Sequence, residues 1–316
     1  MLRPPPDRGL CRRSWYFRLA AAAGLLGALW AGIAAERSAR PPEDRLIGER
    51  FLQLTRAARW QKTAEVKLAF RTYHPQGMSL YRERFFLSSV EVTDRAQGQG
   101  IGHLFEVDFE GQLRRQIRLG EGPAYHPGGI DYDGRWLWVP VAEYRPDSRS
   151  LVYRVDPETL AVKRVFEFRD HLGALVCDRQ NRRLVGVSWG SRKFYRWEML
   201  PEEDGPREPG EPATSLNGSH YVDYQDGQHL AGTSWALFGG LSRLSAADSS
   251  SFTLGGLELV DLGELRAVHQ LPIPLQTNRG QSLLQNAMAV QLAPTGLRCY
   301  FLPEDEESTL YVYAVE

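Results

Sequence analysis

One short pattern, a His followed two residues later by a small residue and then an aliphatic one, recurs along this chain and constrains its fold more than any other feature. His74-Pro-Gln-Gly77-Met78, His126-Pro-Gly-Gly129-Ile130 and His171-Leu-Gly-Ala174-Leu175 each open a short apolar run. Asn286-Ala-Met-Ala289-Val290 fits with Asn in the His place, and Ser219-His220-Tyr-Val-Asp223 fits after a one-residue slip. Successive units start 52, 45, 49 and 66 residues apart. That is the length of a four-stranded propeller blade, with the fourth unit lengthened by an insertion around 239–251. In the second unit, apolar alternation marks strands at Gly129–Tyr132, Trp136–Ala142, Ser150–Val155 and Ala161–Phe168, with turn signals at Asp133-Gly134 and Asp156-Pro157. The fifth unit offers only three strands, 287–292, 297–302 and 309–315, while Thr63–Phe70 precedes the first repeat without a unit of its own. This N-terminal strand can complete the last blade and close the ring, which removes an open sheet edge. The chain reads as an all-β, five-bladed β-propeller over residues 60–316, with six blades as the alternative if the long fourth unit conceals another.

The 316 residues suffice for one such ring and leave an N-terminal remainder. Residues 1–35 place five Arg ahead of an apolar run from Leu19 to Ala35 that ends in small side chains. This is the order of a signal peptide, or of a membrane anchor using residues 16–35 if it is not cleaved. The protein is therefore expected to be exported, periplasmic or extracellular, or held at the membrane through that segment alone. Residues 36–59 read as a linker, and Leu46–Gln61 as a short helix or strand leading into the closing strand. With a net charge of −1 overall, and +4 in the first 35 residues, the body stands at −5, which leaves no electrostatic footprint for nucleic acid. Cys177 and Cys299 lie in strand-like runs of non-adjacent units and read as buried thiols rather than as a disulfide.

Propeller topology brings the starts of the inner strands and the ends of the second strands to one face. His74, His126, His171, His220 and Asn286 are thus expected around a central funnel, with Glu91, Glu143, Arg145, Ser188, Trp189, Trp235 and Glu304 near them. Imidazole with carboxylate suits a divalent metal ion such as zinc, calcium or another, with His74, His126, His171 and His220 as candidate ligands. The same pairing suits general acid or base work, for which Glu143, His126 and Glu304 are the candidates. Glu91, Arg145, Ser188, Trp189, Trp235 and Asn286 are candidate ligand contacts, the indoles by stacking. A repeated His at each strand start also has a structural reading, as a hydrogen-bonding brace between blades. No Walker loop, HExxH or Gly-x-Ser-x-Gly motif is present.

His74-Pro-Gln-Gly77-Met78 and its later variants resemble the repeats of the five-bladed glutamine cyclotransferases, in which Gln-Gly-Leu opens the first blade. In that family a Tyr-Glu-Ser-Thr-Gly-like segment follows on the second strand. The equivalent stretch here is Phe85-Phe86-Leu87-Ser88-Ser89-Val90-Glu91, with no Glu ahead of the Ser pair. More generally the chain resembles exported bacterial propellers of unknown function, and more distantly the strictosidine-synthase-like and gluconolactonase-like propellers, which implies a central-channel site and often a divalent cation. Two functions stay open: a small-molecule or metal site at the channel mouth, of a hydrolase, lyase or cyclase, and a non-catalytic periplasmic or cell-surface propeller that binds a peptide, protein or glycan. Either is expected to act as a monomer.

Overall fold

The structure, a computed structural model, describes residues 43–198, 209–245 and 251–316. The segment read from sequence as a signal peptide or anchor, Cys11, and the Pro- and Glu-rich loop that follows Glu198, apart from its last residues, lie outside them. Arg40–Glu316 forms one compact unit. Among the described residues its 21 strands make five sheets, which settles the blade number at five.

The ring closes as its termini predict. β1 (Trp60–Lys67) pairs antiparallel with β21 (Thr309–Val315), from Trp60 opposite Val315 to Lys67 opposite Thr309, and completes the sheet of β20 (Leu297–Leu302) and β19 (Ala287–Leu292). The closing strand starts three residues earlier than the apolar pattern suggests, because as an outer strand it buries little and keeps polar side chains along its length. Blade 1 holds β2 (His74–Tyr81), β3 (Arg84–Asp94), β4 (Gln99–Asp108) and β5 (Leu113–Leu119). In blade 2 the inner strand is broken into β6 (Ala124–Pro127) and β7 (Asp131–Tyr132), followed by β8 (Leu137–Glu143), β9 (Ser150–Val155) and β10 (Val162–Phe168). Blade 3 comprises β11 (Leu172–Asp178), β12 (Arg183–Ser188), β13 (Lys193–Glu198) and β14 (Ala213–Leu216). The short β14 is invisible in sequence because a loop rich in turn residues separates it from its partner. Blade 4 comprises β15 (Asp223–His229), β16 (Trp235–Ser245), β17 (Ser251–Asp261) and β18 (Arg266–Ile273). Its insertion lengthens one hairpin, since β16 and β17 stay in register from Trp235 opposite Asp261 to Ser245 opposite Ser251.

Faces that alternate along each strand bury Phe85, Phe86, Phe105, Phe194, Phe238 and Phe301 between adjacent blades. Part of the expected linker is helix α1 (Glu43–Phe51), which docks on the lower face through Ile47 and Phe51. Arg50 donates to the carbonyls of Ala293 and Gly296 at 2.6 and 2.7 Å. Cys177 and Cys299 are buried and form no disulfide with one another.

The axis is filled rather than open. A Cβ at Gly77 would lie 2.6 Å from Gly129 Cα, and one at Gly129 would lie 2.7 Å from Ala174 Cβ. The repeated small residue is therefore required by close approach of the inner strands. Asp226 joins them chemically: Oδ2 accepts from the backbone N–H of Met78 (2.7 Å) and Met288 (3.0 Å), and Oδ1 from those of Ile130 (3.2 Å) and Gly227 (2.9 Å). On Asp131, Oδ2 accepts from Cys177 N–H and Oδ1 from His229 N–H. The funnel expected from sequence is thus a shallow mouth above a closed axis.

Candidate functional site

Strand starts and second-strand ends do share the upper face. His74 begins β2, His126 lies in β6, His171 immediately precedes β11 and Asn286 precedes β19. The position equivalent to His74 in blade 4 is Asp223, not His220. Bulges fall between Pro75 and Gly77, between Leu172 and Ala174, and between Tyr224 and Asp226, so Asp223 stands where His74 and His171 stand. His220 is exposed on the preceding loop, 2.6 Å from Arg192, which also bridges to Asp223 at 2.9 Å.

The three remaining imidazoles form a row. Ring centroids of His74 and His126 are 6.4 Å apart, and those of His126 and His171 are 5.6 Å apart. Tyr144, directly after β8, lies 4.1 Å above His126. Trp189 stands 4.7 Å from His171 and 6.1 Å from Tyr144, and its indole is 40% exposed. The Arg95 guanidinium sits 4.5 Å over the Tyr144 ring.

Partners differ sharply along the row. Nδ1 of His74 donates to Asp305 at 2.7 Å, and Asp305 is held in turn by Asn286 Nδ2 at 3.0 Å. Nδ1 of His171 donates to the Glu143 carbonyl at 3.0 Å. His126 is 4% exposed, and neither of its ring nitrogens has a hydrogen-bond partner. Burial, reinforced by the neighbouring His171 and His74, pushes the His126 pKa well below the usual imidazole value, so the ring is held neutral. His171 is lowered as well, mainly by burial. Asn286 Oδ1 is likewise buried and unpartnered. His126 and Asn286 thus each carry buried polar atoms without a partner, a state that native interiors seldom leave unexplained.

The other candidates are dispersed. Glu143 sits at the rim, but Arg145 (2.6 Å) and Arg149 (3.3 Å) neutralise it. Glu304 accepts from Tyr311 Oη at 2.7 Å and from Thr309 N–H at 3.0 Å, so it braces its own hairpin rather than facing the mouth. Glu91 pairs with His103 at 3.2 Å. Ser188 caps the turn to β13 by accepting from Lys193 N–H. Trp235 begins rather than ends its strand, and therefore lies on the lower face against Gly48 of α1. The Ser pair of the cyclotransferase-like segment is buried, Ser88 donating to Gly128 O at 2.7 Å and Ser89 to Thr72 O. Among the described residues no three His, Cys, Asp or Glu side chains converge to hold a metal ion, and no helix among them is long and apolar enough to cross a membrane.

Tyr144, Arg95 and Asp226 escaped the sequence reading. Tyr144 could have been found from its place next to Glu143 at a second-strand end. Asp226 could have been found by aligning Asp223-x-x-Asp226-Gly227 without the slip.

A family model described as a family of unknown function, DUF6454, matches residues 44–316. Curated proteins give no match. Among solved structures the chain is similar to MPT-4, a mannose phosphorylase from Leishmania mexicana, with a TM-score of 0.49, 11% identity and coverage of 85% of this chain and 92% of that one. It is also similar to a tail fiber of Staphylococcus aureus phage P68, with a TM-score of 0.46, 10% identity and coverage of 85% and 56%. Hydrazine synthase of Kuenenia stuttgartiensis gives a TM-score of 0.39, 12% identity and coverage of 77% and 59%. The chain thus spans little more than half the length of the last two.

Proposed function

The chain belongs to the DUF6454 family of unknown function, and we propose that it binds a small molecule at the upper mouth, between Tyr144, Trp189 and the row His74, His126 and His171. The observation that carries this reading is His126, buried with two unpartnered nitrogens beneath an aromatic lid. A buried polar group left unmatched costs on the order of 1–3 kcal/mol, which a ligand hydrogen bond would offset. Aromatic walls with a few convergent polar atoms are the usual make-up of a small-molecule site. A neutral imidazole is also the form a general base must take. If the bound molecule reacts, as in the hydrolase, lyase or cyclase reading, His126 is the group in position to move a proton, with Asp305 orienting His74 beside it. The divalent-metal reading keeps the same three histidines and drops His220, and it requires the rings to draw together around the ion.

The test is a thermal-shift screen of a small-molecule panel against the full chain, followed by Trp189→Ala and His126→Gln. Hits at this site raise Tm in the parent and lose that rise in both variants. Hits that persist unchanged in both variants would place binding elsewhere and refute the proposal.

A further inference from the structure

Resting on that site, we infer that the molecule it takes is a small organic cation, an amine or guanidinium. The atoms left free at the mouth are dominated by lone pairs. His171 is engaged by the backbone of both Glu143, through Nδ1, and Arg145, and is not counted among the free acceptors. His74 is held through Nδ1 by Asp305. Both amide hydrogens of Asn286 are used, on Pro303 O at 2.9 Å and Asp305 Oδ1 at 3.0 Å, which leaves Oδ1 free and buried. His126 adds a further lone pair. Asp305, with a half-exposed side chain, supplies negative charge.

The walls agree with this inventory. Tyr144 and Trp189 present π faces, which attract cations. The Tyr144 face already holds one, since the exposed Arg95 guanidinium stacks on it and makes no hydrogen bond or ion pair among the described residues. Arg95 thus stands in for the group that the surface accepts. An anion would meet lone pairs and the Asp305 carboxylate. A metal ion would need at least three converging ligands, which the described residues do not bring together.

Calorimetric titration of the full chain with butylguanidinium, butanol and butyrate, which share a tail and differ in charge, tests the assignment, with zinc chloride as a fourth probe. Butylguanidinium is expected to bind at least about ten-fold more tightly than butyrate. Tyr144→Ala and Asn286→Leu should each weaken it several-fold. Arg95→Ala should tighten it about two- to five-fold, by removing an internal competitor of ordinary cation–π strength. Equal or tighter binding of butyrate, weakening in Arg95→Ala, or stoichiometric zinc binding lost in His126→Gln without any butylguanidinium binding would overturn it. Absence of binding by all four probes would overturn it too. In each of these cases Trp189-dependent hits in the wider panel would leave the small-molecule site standing, so failure of the charge class is distinguishable from failure of the site.

Discussion

Two buried side chains carry most of what is distinctive at the level of single residues. His126 is neutral in the fold because burial lowers its pKa, whereas the unfolded chain binds a proton at about pH 6.5. Below that pH the unfolded state therefore holds more protons than the native state, and stability falls as pH falls. Urea midpoints measured from pH 7.5 to 5 should decline in the parent, with a maximal slope from this group of about 1.4 kcal/mol per pH unit. His126→Gln should flatten that slope, and an unchanged slope would show that His126 does not drive it. Asp226 faces the opposite constraint. Burial pushes its pKa well up, and four backbone N–H groups oppose the shift. Asp226→Asn would turn an NH2 group toward two of those donors, and chemical denaturation should register a loss of about 2–4 kcal/mol.

Among the elements, β1 has the clearest role, because without it β21 becomes an open edge in an unfinished blade. A chain starting at Arg40 should melt in one cooperative transition, whereas one starting at Ala69 should aggregate or melt broadly at lower temperature in a calorimetric scan. Elements are also where sequence was most and least informative. The three strands of blade 5 were legible to the residue, because apolar alternation there is bounded by turn residues on both sides. Trp235 was misplaced because the Ser-Trp pair at 234–235 looks like the Ser-Trp pair at 188–189, although one opens its strand and the other follows its strand's end. His220 was misplaced for a related reason: a periodic search rewards an imidazole, but the geometry of the bulge selects Asp223. The histidine row itself was legible, since blade topology alone brings three strand starts together. Its lid was not, since loop conformation decides whether Tyr144 covers His126 or points to solvent.

At the largest scale, the unit Arg40–Glu316 is a ring with a blocked axis, a polar-aromatic mouth above and a helix docked below. Cys177 and Cys299 are sealed within it, and burial pushes the Cys299 thiol up to about 12. In a chain starting at Arg40, which omits Cys11, a disulfide-exchange reagent such as dithionitrobenzoate should therefore leave both unreacted in the native protein and modify both after unfolding in guanidinium. Prompt labelling of either thiol under native conditions would mean that the blades open readily. Closure of the ring has a consequence for synthesis. Thr63 Oγ1 donates to the carbonyl of Val312, 249 positions away, so one of the earliest strands must wait for the last before either has its partner. Blades 1 to 4 can pair locally as they emerge from the ribosome, but the fifth is assembled from strands far apart in sequence. The nascent propeller thus stays an open arc until β21 has been made.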